Sequence, residues 1–254
     1  MKRLKRLKRL TLILMSCFIS NYGFAQQQWN EEYGEPLIIL IETDPWLMVI
    51  GSDVPTIALY ESGNVVYKRI EKDKMEYYSV KLDSEQTQQL ILDLEITENL
   101  IDLPDYVQAS DWTDLPTNEL ILNFDTVIVK QVYGSLRNDN EDRKRTPTEF
   151  LTAYDNLIKY KNEKEERWLP DYIEIMLTDY SHSPEKPIMW PKEWPDLNDE
   201  TTISWHEDLY SVYIPKTEFQ KFIDLIYKLE EKQAVELNGK KFSISYRLPF
   251  PNIR

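Results

Sequence analysis

Two histidines are the side chains of this chain that titrate near neutral pH, and neither has partners at a catalytic spacing. His182 lies in a proline-rich stretch, and His206 directly precedes Glu207 and Asp208. Because successive residues of a strand point to opposite faces, a His-Glu-Asp run cannot direct all three side chains at one metal ion. The chain has no His-Glu-x-x-His pattern either. The sequence therefore predicts neither a metal site nor a histidine-based acid-base pair.

Motifs for nucleophilic catalysis and for nucleotide binding are missing as well. Ser52 follows Gly51, but the second glycine of a Gly-x-Ser-x-Gly turn does not follow. No glycine-rich loop could hold a phosphate group. The single cysteine, Cys17, belongs to the N-terminal segment, which leaves no thiol for catalysis in the rest of the chain. We expect a protein that is not an enzyme and that uses no cofactor.

Carboxylates are abundant, and four of them fall in one loop: Asp102, Asp105, Asp111 and Asp114. Glycosidases work with a pair of carboxyl groups, but a chain with 44 acidic residues offers many such pairs. We interpret these aspartates first as a solvated loop. A glycan-processing site is the alternative.

Tryptophans provide the strongest candidates for partner contact. Trp190 and Trp194 stand in the run Trp-Pro-Lys-Glu-Trp-Pro, where the prolines stiffen the backbone. If exposed, such indoles form a platform for a protein partner or a sugar ring. The alternative is that both cover a hydrophobic core, since large aromatic side chains are mostly buried. Trp112 and Trp205 complete the set of candidate partner-binding residues.

The N-terminus has the three parts of a secretory signal peptide. Residues 1–9 carry six basic side chains and no acid, and residues 10–19 form an apolar run. Gly23 and Ala25 supply small residues before a cleavage site ahead of Gln26. The apolar run is about half the length of a membrane-spanning helix, so no spanning segment is expected after processing.

A second interpretation of this segment is lipidation. Leu14-Met15-Ser16-Cys17 resembles a bacterial lipobox, and a lipoprotein anchored at Cys17 is the alternative. The Phe24-Ala25-Gln26 junction resembles export signals common in the Bacteroidetes. We therefore favour an exported bacterial protein, released into the periplasm or the exterior after cleavage near Ala25.

Removal of the signal peptide makes the net charge more negative. The full chain has 30 basic and 44 acidic residues, and loss of the six N-terminal basic residues leaves a net charge of −20. Such a surface repels phosphate backbones and anionic lipids, which argues against nucleic acid and membrane surfaces as partners. It attracts a basic protein. The simpler alternative is that the charge serves solubility.

One local pattern occurs twice and predicts the architecture. Tyr78-Ser79-Val80-Lys81-Leu82 and Tyr210-Ser211-Val212-Tyr213-Ile214 alternate like strands, and each leads into an amphipathic helical pattern 132 positions from the other. Both patterns predict an α+β fold of two related halves, each an antiparallel sheet with one or two packed helices. An internal duplication is the hypothesis, and chance recurrence of a common pattern is the alternative.

The predicted domains are a signal peptide (1–25), a flexible leader (26–35), a first half (36–165) and a second half (166–254). Local signals predict a buried strand over 37–41, a short strand over 46–50 and three hairpins, which turn at Gly63, at Asp125 and at Asn238-Gly239. A helix is predicted to end near Glu98. Another is predicted to begin with a capping box from Thr146 to Glu149.

These observations favour a non-catalytic binding or inhibitor protein of the immunity type, which masks a basic partner. A carbohydrate-binding or glycan-processing protein is one alternative, with Trp190 and Trp194 as the platform. A structural envelope protein is the other.

Overall fold

The computed structural model describes residues 29–49, 51–72 and 74–253, which fold into two mixed sheets with a few helices, an α+β architecture. The strands are β1 Pro36–Glu42, β2 Ile57–Tyr60, β3 Asn64–Glu71, β4 Lys74–Lys81, β5 Tyr106–Gln108, β6 Thr117–Asn123, β7 Val127–Tyr133, β8 Glu166–Arg167, β9 Tyr172–Asp179, β10 Ile188–Met189, β11 Ile203–His206, β12 Leu209–Pro215, β13 Val235–Leu237 and β14 Lys240–Arg247. The helices are α1 Ser84–Asp93, α2 Glu98–Ile101, α3 Glu141–Arg145, α4 Thr148–Ile158 and α5 Phe219–Ile226, the last preceded by a 3-10 turn over Lys216–Glu218.

Both sheets are antiparallel except at one edge. The first has eight strands in the order β5-β7-β6-β1-β2-β3-β4-β8, with β5 and β7 parallel. The second has six strands in the order β10-β13-β14-β9-β12-β11, with β10 and β13 parallel. The outermost strands are short, which limits the length of unpaired backbone at each edge.

Strand β1 explains how two cores share one sheet. Ile38 and Leu40 belong to a first core between the sheet and the helices α1, α2 and α4, whereas Ile39 belongs to a second core with β9, β12 and α5. Side chains alternate along a strand, so a strand buried on both faces must be apolar throughout. This confirms the buried strand predicted over 37–41.

The three predicted hairpins are confirmed: β6 and β7 pair around Asp125, and the other two depend on backbone with positive φ. Gly63 has φ 83°, and a Cβ atom there would lie 2.5 Å from the carbonyl oxygen of Leu82, so only glycine fits. Asn238 and Gly239 have φ 50° and 77°, as a two-residue type I′ turn requires.

Three local predictions are wrong. Residues 46–49 form turns and bends instead of a strand, because the Asp44 carboxylate accepts the backbone N–H of Trp46 (2.9 Å). Helix α1 ends at Asp93, five residues before Glu98, and Glu95 after it has φ 52°. Thr146 does not cap α4, since its hydroxyl donates to the carbonyl oxygen of Asp142 (2.8 Å).

The internal duplication is not confirmed. At the offset of 132, β4 corresponds to β12, but β12 pairs directly with β9, whereas β2 and β3 separate β4 from β1. The chain also crosses the predicted boundary between the halves, because β8 pairs with β4 of the first sheet.

Candidate functional site

An uninterrupted acidic stretch marks one end of the first sheet. Residues 82–129, which we call the acidic segment, contain eleven aspartates and glutamates and no lysine, arginine or histidine. The segment forms α1, α2, β5 and β6, and it reaches the start of β7. Ten of the eleven acids are exposed: Asp83, Glu85, Asp93, Glu95, Glu98, Asp102, Asp105, Asp111, Asp114 and Asp125.

Few of these carboxylates are neutralised by neighbours. Within the described ranges, two of them form ion pairs: Asp105 with Lys130 (2.8 Å) and Asp111 with Arg145 (2.7 Å). Asp83 is occupied in another way, because its side chain accepts the backbone N–H of Gln86 at the start of α1. The remaining carboxylates form no ion pair with a described residue. The segment therefore presents a negative surface that attracts cations.

Exposed apolar side chains alternate with these acids. The Trp112 side chain is the most open, with 78% of the residue exposed, and its loop is nevertheless ordered by Tyr133. The Tyr133 hydroxyl donates to the carbonyl oxygen of Trp112 (2.9 Å) and accepts the N–H of Leu115 (3.2 Å). Other exposed apolar residues of the segment are Leu92, Ile101, Tyr106, Phe124 and Val127. Exposed aromatic side chains within a polar rim are typical of protein interfaces.

A groove of about 530 Å³ lies beside β7 within this surface. Ile101, Asp105 and residues 127–131 line it. The buried Lys130 ammonium forms its inner end, since it donates to the carbonyl oxygen of Leu103 (2.5 Å) and to Asp105 (2.8 Å). The groove is therefore lined largely by apolar residues of β7, and its one carboxylate, Asp105, is paired with Lys130.

Trp190 and Trp194 lie elsewhere, in the second core. Each is only 5% exposed, and their rings meet edge to face with centroids 5.1 Å apart. The Trp190 indole N–H donates to the carbonyl oxygen of Pro195 (2.9 Å), and that of Trp194 donates to Glu218 (2.8 Å). This placement agrees with the core alternative for both residues, and it leaves neither ring face open to a ligand.

Trp205 is half exposed and belongs to a polar network of the second sheet. Its indole N–H donates to the hydroxyl of Ser211 (2.8 Å), which donates to the buried carboxylate of Glu174 (2.6 Å). Arg247 donates to the other oxygen of Glu174 (2.7 Å). Since the buried charge is paired and hydrogen-bonded, we assign the network a structural role.

A larger cleft, of about 960 Å³, opens where the chain passes between the two sheets. Its aromatic walls are Trp29, Tyr33, Trp168, Tyr172 and Tyr213. Burial raises the pKa of Tyr33 and of Tyr213, so both hydroxyls stay protonated at neutral pH. The cleft thus combines ring faces with hydrogen-bonding hydroxyl groups.

The same cleft carries charges of both signs, on Glu31, Glu32, Asp171, Arg167 and Lys216. Lys216 donates to Asp171 (2.9 Å) at its mouth.

The N-terminal wall of the cleft is held by the C-terminus. The Asn252 amide donates to the carbonyl oxygens of Asn30 (2.9 Å) and Gly34 (2.7 Å) and accepts the N–H of Asn30 (2.7 Å). The part of the predicted flexible leader that the structure describes is therefore fixed by hydrogen bonds.

Neither histidine takes part in these sites. His182 packs edge to face against Tyr180, with centroids 4.9 Å apart, and His206 is exposed on β11. In the described part of the chain, no three His, Cys, Asp or Glu side chains converge as metal ligands. No helix there is long and apolar enough to span a membrane. The signal-peptide and lipobox predictions, including Cys17 and Ala25, lie outside the described residues.

The chain matches no protein-family model, no curated protein and no solved structure.

Sequence reasoning singled out Trp112 and four aspartates of the acidic segment, but it missed the extent of the segment. The missing signal is plain in the sequence: 48 consecutive residues without a basic side chain. The cleft is different, because Trp29, Trp168 and Tyr213 are far apart in the sequence and only the fold brings them together.

Proposed function

We propose that this protein is an exported, non-catalytic binding protein of the immunity type, and that its acidic segment masks a basic protein partner. The observation that carries the proposal is the coincidence of eleven acids, no bases and an exposed Trp112 on one stretch of ordered chain. Charge steers the encounter with a basic surface, and a central aromatic side chain supplies much of the affinity in typical interfaces.

Charge that served solubility alone would not need to be segregated. The acidic segment holds a quarter of the 44 acids of the chain and none of its 30 basic residues. Basic residues occur on its flank instead, in Arg143, Lys144 and Arg145 of α3. The location of the acids, more than their number, therefore supports a partner.

A pair of matched charge variants tests this. The first variant replaces Glu85 and Glu98 by Gln and Asp102 and Asp114 by Asn, four exposed acids of the segment that form no ion pair with a described residue. The control variant replaces four exposed acids elsewhere by Gln: Glu163, Glu185, Glu230 and Glu231. Both change the net charge by +4. The probe is a twelve-residue oligolysine peptide, titrated by calorimetry at low and moderate salt.

We expect the first variant to bind the peptide at least about tenfold more weakly than the unmodified protein, and the control variant less than about twofold more weakly. Equal losses in both would mean that only total charge matters, and no binding by the unmodified protein would exclude a site for basic chains. A pull-down from envelope and secreted extract, with the same pair of variants, then identifies the partner.

The aromatic cleft supports a second candidate function, glycan binding. Exposed Trp29 and Tyr172 offer ring faces for stacking, and Glu31 and Asp171 offer acceptors for sugar hydroxyls. A glycan array with the protein and with Trp29→Ala tests it. Binding that Trp29→Ala abolishes would support a glycan site, and an empty array would exclude one for the sugars presented.

The proposal includes export, with cleavage near Ala25. Mass spectrometry of the envelope and secreted fractions separates the two processed forms. A chain that begins at Gln26 supports soluble export, whereas a lipid-modified chain that begins at Cys17 supports the anchored form.

A further inference from the structure

Half of strand β7 has no neighbour on its outer side. Strand β5 pairs only with Gln131, Val132 and Tyr133, whereas β6 pairs with the whole of β7 on the inner side. Residues 127–130 therefore form an open edge, in line with β5, among the described strands. This open edge is one wall of the 530 Å³ groove.

The hydrogen-bonding groups at this edge can be assigned from alternation along the strand. The N–H of Gln131 donates to the carbonyl oxygen of Asp105 (2.8 Å), and the carbonyl oxygen of Tyr133 accepts the N–H of Ala109 (3.0 Å). The backbone groups of odd-numbered residues of β7 therefore face β5. Val127 and Val129 share that parity and direct their N–H and C=O groups outwards. Ile128 and Lys130 direct theirs to β6.

The chain itself explains why β5 stops short. Leu103 is the next residue whose backbone would face β7, but its N–H donates to the carbonyl oxygen of Leu100 (3.3 Å) and its carbonyl oxygen accepts from the Lys130 ammonium (2.5 Å). About four residues of β7 are therefore unpaired on this side, which leaves room for one short added strand.

We propose that this open edge receives an extended basic segment of the partner, which adds to the first sheet as a strand in line with β5. The inference rests on the proposed function and specifies how the partner binds. Main-chain hydrogen bonds to Val127 and Val129 hold the segment, and apolar contacts form with Ile101 and Val127, of which Val127 is 65% exposed. The exposed acids Asp102 and Asp125, within two residues of the lining residues Ile101 and Val127, select lysine and arginine side chains.

The charge of the acidic segment argues against a second copy of this chain as the occupant of the edge. Two copies joined edge to edge would bring two acidic segments together, with no basic residue in either to compensate. Repulsion of this kind is a common protection against self-association at strand edges.

The experiment uses the full protein and an eight-residue peptide of alternating lysine and valine. A second peptide has the same sequence but is N-methylated at every residue, which keeps its charge and removes its strand hydrogen bonds. Dissociation constants come from calorimetry, and residue-level hydrogen exchange by NMR reports on β7. Val129→Pro removes one outward N–H, and Val129→Ala is its control, which keeps that N–H.

We expect the unmethylated peptide to bind at least about tenfold more tightly than the methylated one and to slow exchange at Val127 and Val129. Ile128 and Lys130, already bonded to β6, should exchange slowly with or without peptide. Val129→Pro should weaken binding at least about tenfold, and Val129→Ala less than about threefold. If Val129→Pro fails to fold, the exchange pattern and the methylated peptide still test whether a strand is added at this edge.

Three results would overturn the inference, and they separate it from the proposed function. Equal binding of both peptides, with unchanged exchange at Val127 and Val129, would reject strand addition while a basic partner stands. Failure of every basic probe to bind would reject both. Concentration-dependent protection of Val127 and Val129 without peptide would identify a second copy as the occupant.

Discussion

The loop that carries Trp112 and the loop that carries Trp190 and Trp194 look alike in sequence, since both mix prolines, acids and tryptophan between strands. Their indoles end in opposite environments: Trp112 is 78% exposed, whereas the other two are 5% exposed. The difference arises from what each loop pairs with. Strand β10, just before Trp190, joins β13 in parallel, and the N–H of Trp190 continues that pairing to Glu236 (3.0 Å).

The comparison shows that a loop tryptophan is buried when its backbone pairs with a sheet whose hydrophobic face is not yet covered by other elements. In the second core, Trp194 packs against Phe222 of α5, with centroids 6.1 Å apart, and each buried indole N–H has an acceptor. The loop of Trp112 follows β5 at the outer edge of the first sheet, and its backbone bonds to Ser110 and Tyr133 leave the indole outside. The connector between α4 and β8 is a third case, because the ion pair between its Glu165 and Arg69 fixes it to β3.

The largest expected effect comes from the packed loop. Trp194→Ala should lower the free energy of unfolding by about 3–5 kcal/mol, because it leaves a cavity beside Phe222 and removes a hydrogen bond to Glu218. Urea denaturation followed by circular dichroism measures it. The conservative variant Trp194→Phe keeps most of the volume and should lose less. A loss below about 1 kcal/mol for Trp194→Ala would mean that this loop does not seal the core.

An intermediate effect is expected at Glu165. Its carboxylate accepts two hydrogen bonds from Arg69 (2.5 and 2.8 Å) and one from the Tyr67 hydroxyl. The Arg69 hydrogen bonds dominate and lower the pKa of Glu165 to about 2. Glu165→Gln should therefore cost about 2–3 kcal/mol at pH 7, where the carboxylate is charged in both folded and unfolded chains.

The pH dependence of that cost has a defined sign. A lowered folded-state pKa stabilises the fold above the unfolded value of 4.5, and the stabilisation is lost as the pH falls towards 2. At pH 3 the difference between the protein and Glu165→Gln should shrink by about half. Urea denaturation at pH 7 and pH 3 measures it. A pH-independent difference would show that Glu165 acts through packing rather than through its charge.

The smallest effect on stability is expected at the exposed indole. Trp112→Ala should change the free energy of unfolding by no more than about 0.5 kcal/mol, because the side chain packs against little. The same variant should bind the oligolysine peptide almost unchanged but weaken a folded basic partner by about tenfold or more. Titration of both ligands checks this, and a large loss of stability would mean that the indole is a packing residue.

The sequence predicted features with short-range causes. The hairpins at Gly63 and at Asn238 need positive φ, and glycine and asparagine are the residue types that adopt positive φ most readily. The run from Leu37 to Ile41 revealed a strand buried on both sides before its partners were known. In these cases the physical cause lies within a few residues of its effect.

Features with long-range causes were not predictable. The strand order of the second sheet is one case, since the likeness of β4 and β12 says nothing of their neighbours. The exposure of Trp112 against Trp194 is another, because it depends on Tyr133, 21 positions from Trp112, and on Glu218, 24 positions from Trp194. The capping box at Thr146 failed for a local reason instead: the Thr146 hydroxyl bonds to Asp142, four residues earlier, because α3 directly precedes α4.

The hydrogen bonds between Asn252 and residues 30–34 have a consequence for the order in which the molecule is completed. A chain is synthesised from its N-terminus, so the wall that holds Trp29 and Tyr33 can be fixed only after Asn252 has been added. Pro249 and Pro251 line the same cleft, and the Tyr60 hydroxyl donates to the carbonyl oxygen of Pro251 (2.8 Å). The cleft therefore cannot be complete before residues 249–252 are present, and a variant cut after Leu248 would keep every described strand of both sheets but lose these contacts.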